Sequence, residues 1–342
     1  MKALRFGSPA ILPVLLAAVG LLAFRAGSSP IGPAVLGVRA FEETRVEGAS
    51  FPKRLRDPAG AVQEIARPPQ RVVSTILAAD EILTALLPPD RLVGVTRLAD
   101  DSEISNCADS TPPDAVRIHT ADAEVVLALE PDVVFVAGYS RAEVVRLLVS
   151  SGVPVIRFGR YGSLDALQDN VRIAGAAVGA ETRALEIVAE MDRRVAAVRR
   201  RVAGLPRPRV LYFTPSGFTS GPGTTIDEMI ETAGGANVAA EAGLRGPVRI
   251  STEVALGLQP NVILLSGWRR DGNGVDPVRE LLEDPLWRDV PAVQAGRVHA
   301  LRGAWLTTVS QYAVRGVEEI ARILHPEAFA QADPAGAAKG GS

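Results

Sequence analysis

Leu129-Glu130-Pro131-Asp132-Val133-Val134-Phe135-Val136-Ala137-Gly138-Tyr139 has a counterpart in Leu258-Gln259-Pro260-Asn261-Val262-Ile263-Leu264-Leu265-Ser266-Gly267-Trp268, at a constant offset of 129 residues. Each copy ends a helix at a proline, continues with Asp or Asn, runs through a short apolar stretch, and closes on glycine and a large aromatic. A continuous apolar run behind a helical segment reads as a parallel strand buried on both faces. Two further pairs flank it. Arg71-Val72-Val73-Ser74 resembles Arg209-Val210-Leu211-Tyr212, and Val153-Pro154-Val155-Ile156 resembles Arg297-Val298-His299-Ala300-Leu301. Each half therefore alternates strand and helix. The fold class is α/β, with two parallel-sheet lobes.

Between the halves, Leu164 to Val202 carries apolar residues at helical spacing, from Leu164, Leu167 and Val171 to Val195 and Val198, with Arg, Glu and Asp on the other face. It reads as a long, stiff connecting helix, weakest at Gly175, Gly179 and Ala180-Glu181-Thr182, and stopped by Gly204-Leu205-Pro206. The expected boundaries are 1–26, 27–66 as tether and lead-in, 67–163 and 205–328 as the lobes, 164–204 as the connector, and 329–342 as a disordered tail. Lys2 and Arg5 precede the uncharged run Ile11 to Phe24, which is shorter than the ~20 residues that span a bilayer. Residues 1–26 thus read as a signal peptide or uncleaved N-terminal anchor, which places the protein in the periplasm.

Composition removes several function classes. Lys and Arg number 37 against 39 Asp and Glu, so no charge excess points to nucleic acid. A single cysteine, Cys107, excludes a disulfide framework and any centre built from several thiolates. Cys107 with His119 has no third group to orient it. Gly221-Pro222-Gly223-Thr224-Thr225 lacks the lysine of a phosphate loop, and neither a G-x-S-x-G nor an H-E-x-x-H motif occurs. No metal site or resident cofactor is expected. Asp80 and Glu81, at the start of a helix, read as residues favoured by its dipole.

Ligands of open parallel sheets bind beyond the carboxyl ends of the strands. Those ends carry Tyr139, Tyr161, Phe218, Trp268 and Trp305 in a chain with only 5% aromatics. Arg97, Arg160, Arg269, Arg270 and Arg302 occupy the same turns. Together they predict an inter-lobe pocket for a flat or ring-rich ligand carrying anionic groups.

These residues stand in an order that resembles a known family. The markers are Pro68-Pro69-Gln70-Arg71-Val72-Val73-Ser74, Asp80-Glu81-Ile82-Leu83, Asp90-Arg91-Leu92-Val93-Gly94-Val95 and Leu129-Glu130-Pro131-Asp132-Val133-Val134. Phe218-Thr219-Ser220-Gly221, Ile230-Glu231-Thr232-Ala233-Gly234-Gly235-Ala236-Asn237 and Leu324-His325-Pro326 follow. The chain is similar to substrate-binding proteins of ABC importers for vitamin B12, ferric siderophores and haem, from about Asp57 to Pro326. It departs at Ser74-Thr75-Ile76-Leu77-Ala78-Ala79-Asp80-Glu81, where the family has a Ser-Pro-Ser-Ala-Thr-Glu run. The resemblance implies two rigid lobes bridged by a helix, a metal chelate as ligand (ferric siderophore, cobalamin or haem), and a monomer without catalytic residues. It also implies one glutamate on each lobe, Glu143 and Glu231, docking arginines of a permease dimer that works with ATPase subunits. The competing reading is a tetrapyrrole metal chelatase on a related scaffold, which requires an acid–base set around the metal. His299 is the only histidine in an expected strand.

Overall fold

The computed structural model describes residues 43–57, 60–120, 122–266 and 276–330. The proposed signal or anchor at 1–26, Trp268, Arg269, Arg270 and nearly all of the 329–342 tail lie outside them. Three short strands come first, β1 (Arg45–Glu47), β2 (Lys53–Arg56) and β3 (Val62–Ile65), paired antiparallel. The first lobe follows with β4 (Val72–Ser74), α1 (Leu77–Leu86), β5 (Leu92–Thr96), β6 (Val116–Ile118), α2 (Ala123–Leu127), β7 (Val133–Ala137), α3 (Ala142–Ser150) and β8 (Val155–Phe158). Its sheet is wholly parallel in the order β6-β5-β4-β7-β8.

Helices α4 (Leu164–Val178) and α5 (Glu181–Val202) lead to the second lobe. That lobe contains β9 (Arg209–Phe213), β10 (Phe218–Ser220), α6 (Thr225–Thr232), β11 (Ala236–Asn237), α7 (Val238–Glu241), β12 (Pro247–Arg249), α8 (Thr252–Gly257) and β13 (Val262–Ser266). It ends with α9 (Pro277–Glu283), α10 (Pro291–Gln294), β14 (Val298–Leu301), α11 (Gly303–Leu306), α12 (Ala313–Leu324) and α13 (Pro326–Phe329). Its parallel sheet runs β11-β9-β13-β14, and an antiparallel ribbon, β10 with β12, stands beside it.

The duplicated motif recurs in its turn and its backbone clamp. Glu130 and Gln259 both take left-handed backbone, at φ 45° and 47°, which turns the chain from helix end to strand. Asp132 Oδ2 then accepts from the Gln70 and Arg71 backbone N–H at 2.7 and 2.9 Å, and Asn261 Oδ1 accepts from Arg209 N–H at 3.1 Å. The Arg71 guanidinium donates to the Leu129 carbonyl at 2.8 Å, and that of Arg209 to the Gln259 carbonyl at 2.9 Å. An Asp or Asn directly after proline is thus the clamp that starts the neighbouring strand in both lobes.

Two expectations are corrected. The connector is a helical hairpin, not one long rod. Gly179 caps α4 at φ 73°, a conformation in which a side chain is strained. Helix α5 then folds back along α4. Gln168 Nε2 donates to Asp192 Oδ1 at 2.6 Å, and a methyl group on Gly175 would meet the Ala184 Cβ at 2.4 Å. Helix α4 packs on α1 and β8 of the first lobe, whereas α5 packs on α12 and α6 of the second. Its inner face, Ala184, Ile187, Val188, Met191, Val195, Val198 and Val202, is buried, worth roughly 1.5–3 kcal/mol for each large side chain.

The second correction concerns the lead-in, which from Arg45 onward is a folded sheet rather than a tether. It covers the outer edge of β8, where Gln63 donates to the Val153 carbonyl at 2.9 Å and accepts from Val155 N–H at 3.2 Å. Covering an edge strand removes a template for aggregation. Lys53 is buried, with its ammonium on Glu181 and on the Ala176 carbonyl at 2.6 Å.

Candidate functional site

The carboxyl ends of both sheets open on one cleft between the lobes. Two cavities of about 420 and 560 Å³ occupy it and meet at Tyr139, Tyr161 and Thr307 to Val309. The smaller lies over the start of α1, between Thr75, Ile76, Glu81 and Thr96. The larger is walled by Arg160 and Ser163 from one lobe and by Tyr212, Phe218, Thr219 and Thr225 from the other.

Of the predicted ligand residues, Tyr139, Tyr161, Phe218 and Arg160 line these cavities. The rings of Tyr139 and Tyr161 lie 6.4 Å apart at 48°, and Tyr161 is held by its hydroxyl donating to the Phe158 carbonyl at 2.9 Å. Burial raises both phenols above their ordinary range, Tyr161 the more strongly. They therefore stay protonated, as hydrogen-bonding aromatic surfaces rather than phenolates. Tyr139 and Phe218 remain 46% and 37% exposed, open to contact from a ligand.

The remaining arginines do not behave as expected. Arg97 points to solvent, and its neighbours Thr96 and Leu98 do the lining. Arg302 donates to the Ser102 carbonyl at 2.7 Å, tying the lobes, and stacks 5.5 Å from the Trp305 ring; neither residue lines the two cavities. Arg160 sits between Glu43 at 3.6 Å and Asp169 at 3.4 Å. Arg141, a lining residue the sequence did not suggest, is paired with Asp122. Every cation lining the described cleft is thus already matched by a carboxylate.

Glu81 is the main residue missed. It is buried, and its carboxylate accepts from Asn106 N–H at 2.7 Å, Asn106 Nδ2 at 2.9 Å, Thr308 Oγ1 at 2.7 Å and Ser310 Oγ. Thr308 and Ser310 belong to the second lobe, so one carboxylate on α1 ties the two lobes at the floor of the smaller cavity. Thr308 and Ser310 lie more than 200 residues away in sequence, which no local pattern signals.

Asp80 is not a dipole residue at the surface either. It is buried against Thr96, whose hydroxyl donates to Oδ2 at 2.5 Å. Burial nevertheless wins over these donors and pushes its carboxyl from 3.8 up to about 7. A carboxyl that holds its proton more tightly folded than unfolded stabilises the fold at low pH, and that contribution is lost as pH rises through about 7. The unfolding free energy of Asp80→Asn should therefore fall less than that of wild type between pH 4 and 7. Parallel urea melts across that range would show it, and equal slopes would contradict it.

Glu143 is exposed in the first turn of α3, at the carboxyl end of β7. Glu231 differs. Its carboxylate is bound by Arg207 and accepts from Asn237 N–H at 3.3 Å, at the amino ends of β9 and β11. Glu143 thus stands at the carboxyl end of its sheet and Glu231 at the amino end of its own, because α6 starts at the cleft and runs away from it.

His299 is half-buried on β14 and lines neither cavity; burial first, then Arg297, lowers its pKa. Cys107 is buried under Ser105 with its thiol pushed up by desolvation, while His119 is exposed. Among the described residues no cluster of three or more His, Cys, Asp or Glu could hold a metal. Among the described lining residues Glu81 is the one carboxylate, and no histidine joins it.

The chain is similar to known proteins along most of its length. It is 28% identical over 277 residues to the cobalamin-binding protein of Halobacterium salinarum, covering 80% of this chain and 73% of that one. The apo periplasmic haem-binding protein RhuT of Roseiflexus sp. RS-1 superposes with a TM-score of 0.66 at 27% identity, over 76% of this chain and 99% of that one. The molybdate-bound MolA of Haemophilus influenzae shares the fold, with a TM-score of 0.69 at 23% identity over 82% and 93% of the two chains. One scaffold thus carries ligands as different as haem and molybdate, and the choice is made by the cleft side chains. With a profile match spanning residues 72–304, this chain belongs to the periplasmic binding protein family.

Proposed function

We propose that this protein is a periplasmic, non-enzymatic solute-binding protein that captures a corrinoid-type metal chelate and hands it to an ABC importer. The observation that carries the reading is the pairing of every charged side chain in the described lining. What is left for a ligand is aromatic surface and neutral hydroxyl: Tyr139, Tyr161, Phe218, Thr214, Thr219 and Thr225. Behind this wall the hydroxyl of Thr219 is buried without a hydrogen-bond partner among the described residues. Such a wall suits a large ring system with a carboxamide rim whose metal is already fully coordinated. A carboxylate-bearing chelate would ask for free cations.

One relative that matches most of the chain is a cobalamin-binding protein. Exposed Glu143 suits contact with basic residues of the permease. Glu231, with its charge turned to Arg207, is the weaker candidate. The N-terminal segment 1–26 supplies export.

Titration with cyanocobalamin, followed by intrinsic fluorescence or calorimetry, should give saturable binding to one site. Tyr139→Ala should weaken it by about tenfold or more, as loss of an aromatic anchor does, without lowering thermal stability. Saturable binding of haemin or a ferric siderophore with no response to cobalamin would overturn the corrinoid assignment.

A further inference from the structure

The cleft arginine Arg160 is neutralised by a residue outside the family core. Glu43 precedes the segment matched by the family profile, which starts at residue 72. It is fixed in place because Thr44 pairs with the outer edge of β8, donating to the Arg157 carbonyl at 3.1 Å and accepting from Arg157 N–H at 2.9 Å. That pairing sets the Glu43 carboxylate 3.6 Å from Arg160 Nη1, with only 21% of the Glu43 side chain exposed. On the other flank Asp169 Oδ2 lies 3.4 Å from the same nitrogen, and Asn170 Nδ2 holds the Arg160 carbonyl at 2.9 Å. Arg160 meanwhile lines the larger cavity, 45% exposed.

Resting on the reading of the cleft as a chelate site, we infer that Glu43 is a specificity residue: it cancels the one first-lobe cation at the larger cavity and so lowers affinity for anionic ligands. A carboxylate or sulfonate entering beside Arg160 meets a charge already balanced, and must displace Glu43 or sit near two acids. A ligand with a neutral rim is indifferent. The lead-in sheet thus tunes what the family cleft accepts.

Glu43→Gln, Glu43→Gln/Arg160→Gln and wild type would be titrated in the full chain with three probes. These are cyanocobalamin, whose rim is amide-rich, haemin with its two carboxylates, and the aromatic sulfonate 8-anilinonaphthalene-1-sulfonate. Glu43→Gln should tighten haemin and the sulfonate by roughly two- to fivefold, the scale of a partly exposed charge pair. The gain should shrink at high salt, disappear in the double variant, and leave cobalamin unchanged. Equal affinities for wild type and Glu43→Gln, or a gain that persists without Arg160, would overturn the inference. The sulfonate series decides it even if the wild-type cleft binds no cobalamin, an outcome that counts against the corrinoid assignment alone.

Discussion

Replacing Glu81 with alanine should lower the unfolding free energy by about 3 kcal/mol, since each buried donor left without an acceptor costs about 1–3 kcal/mol. Four donors converge on this carboxylate, two from Asn106 and one each from Thr308 and Ser310. Thr308 Oγ1 and Ser310 Oγ lie 3.0 Å apart, so one hydroxyl can turn to the other, but the Asn106 backbone N–H loses its acceptor, and a buried unpaired donor carries its full desolvation penalty. Glu81→Gln should lose less. It keeps one oxygen for two of the donors, but its amide must point at groups that also donate. Urea denaturation would measure both, and a loss under about 1 kcal/mol for Glu81→Ala would show that water or rotated hydroxyls satisfy these donors. The same substitution should also loosen ligand binding, since Glu81 faces the smaller cavity and two of its partners, Thr308 and Ser310, sit in the opposite lobe. The links of Arg302 to Ser102, Asn106 to the Ala304 carbonyl and Ala304 to the Glu103 carbonyl remain, so the lobes should stay associated.

Glu81 also marks where reading the sequence stops. The lobes themselves were legible, because a buried parallel strand behind a proline is a local pattern, and it occurs twice at an offset of 129. Strand ends followed from the strands, so Tyr139, Tyr161 and Phe218 could be placed in the cleft from sequence. The fate of a charge is decided by what faces it, which may come from anywhere in the chain. Arg160 meets Glu43, 117 residues earlier, and Arg302 meets Ser102, 200 residues earlier. From sequence both read as free cations, and the expectation of anionic groups on the ligand rested on that reading. The lead-in sheet was hidden for a related reason. Lys53-Arg54-Leu55-Arg56 alternates buried and exposed, yet its buried lysine is tolerated only because Glu181 lies beneath it. The hairpin in the connector was closer to hand, since Gly179 and Ala180 interrupt an otherwise continuous helical stripe and only the fold-back direction was missing.

The approach of the two lobes behind the larger cavity is set by a pair of glycines, and a single methyl group there should disturb binding more than folding. A Cβ on Gly162 would stand 2.5 Å from the Gly223 carbonyl oxygen and 3.1 Å from its carbon. Both are backbone atoms, so the clash cannot be relieved by turning a side chain. On either side the lobes are already bonded, with Thr225 Oγ1 donating to the Tyr161 carbonyl at 2.5 Å and Leu164 N–H to Glu228 Oε2 at 2.7 Å. Gly162→Ala must therefore stretch these links and move Tyr161, which walls both cavities, relative to Thr225 and Phe218. The cost in stability should be about 1–3 kcal/mol, as for other overpacked sites. Ligand affinity should fall by more than tenfold, because the aromatic and hydroxyl walls would no longer close on the same body. Gly257→Ala is the control, since a methyl group there meets nothing within 4 Å and should leave both properties unchanged. Titration with cyanocobalamin beside a thermal melt separates the two effects. Wild-type affinity in Gly162→Ala would mean that the 159–163 turn relaxes by itself, and that the spacing of the walls is held by Glu81 and its partners instead.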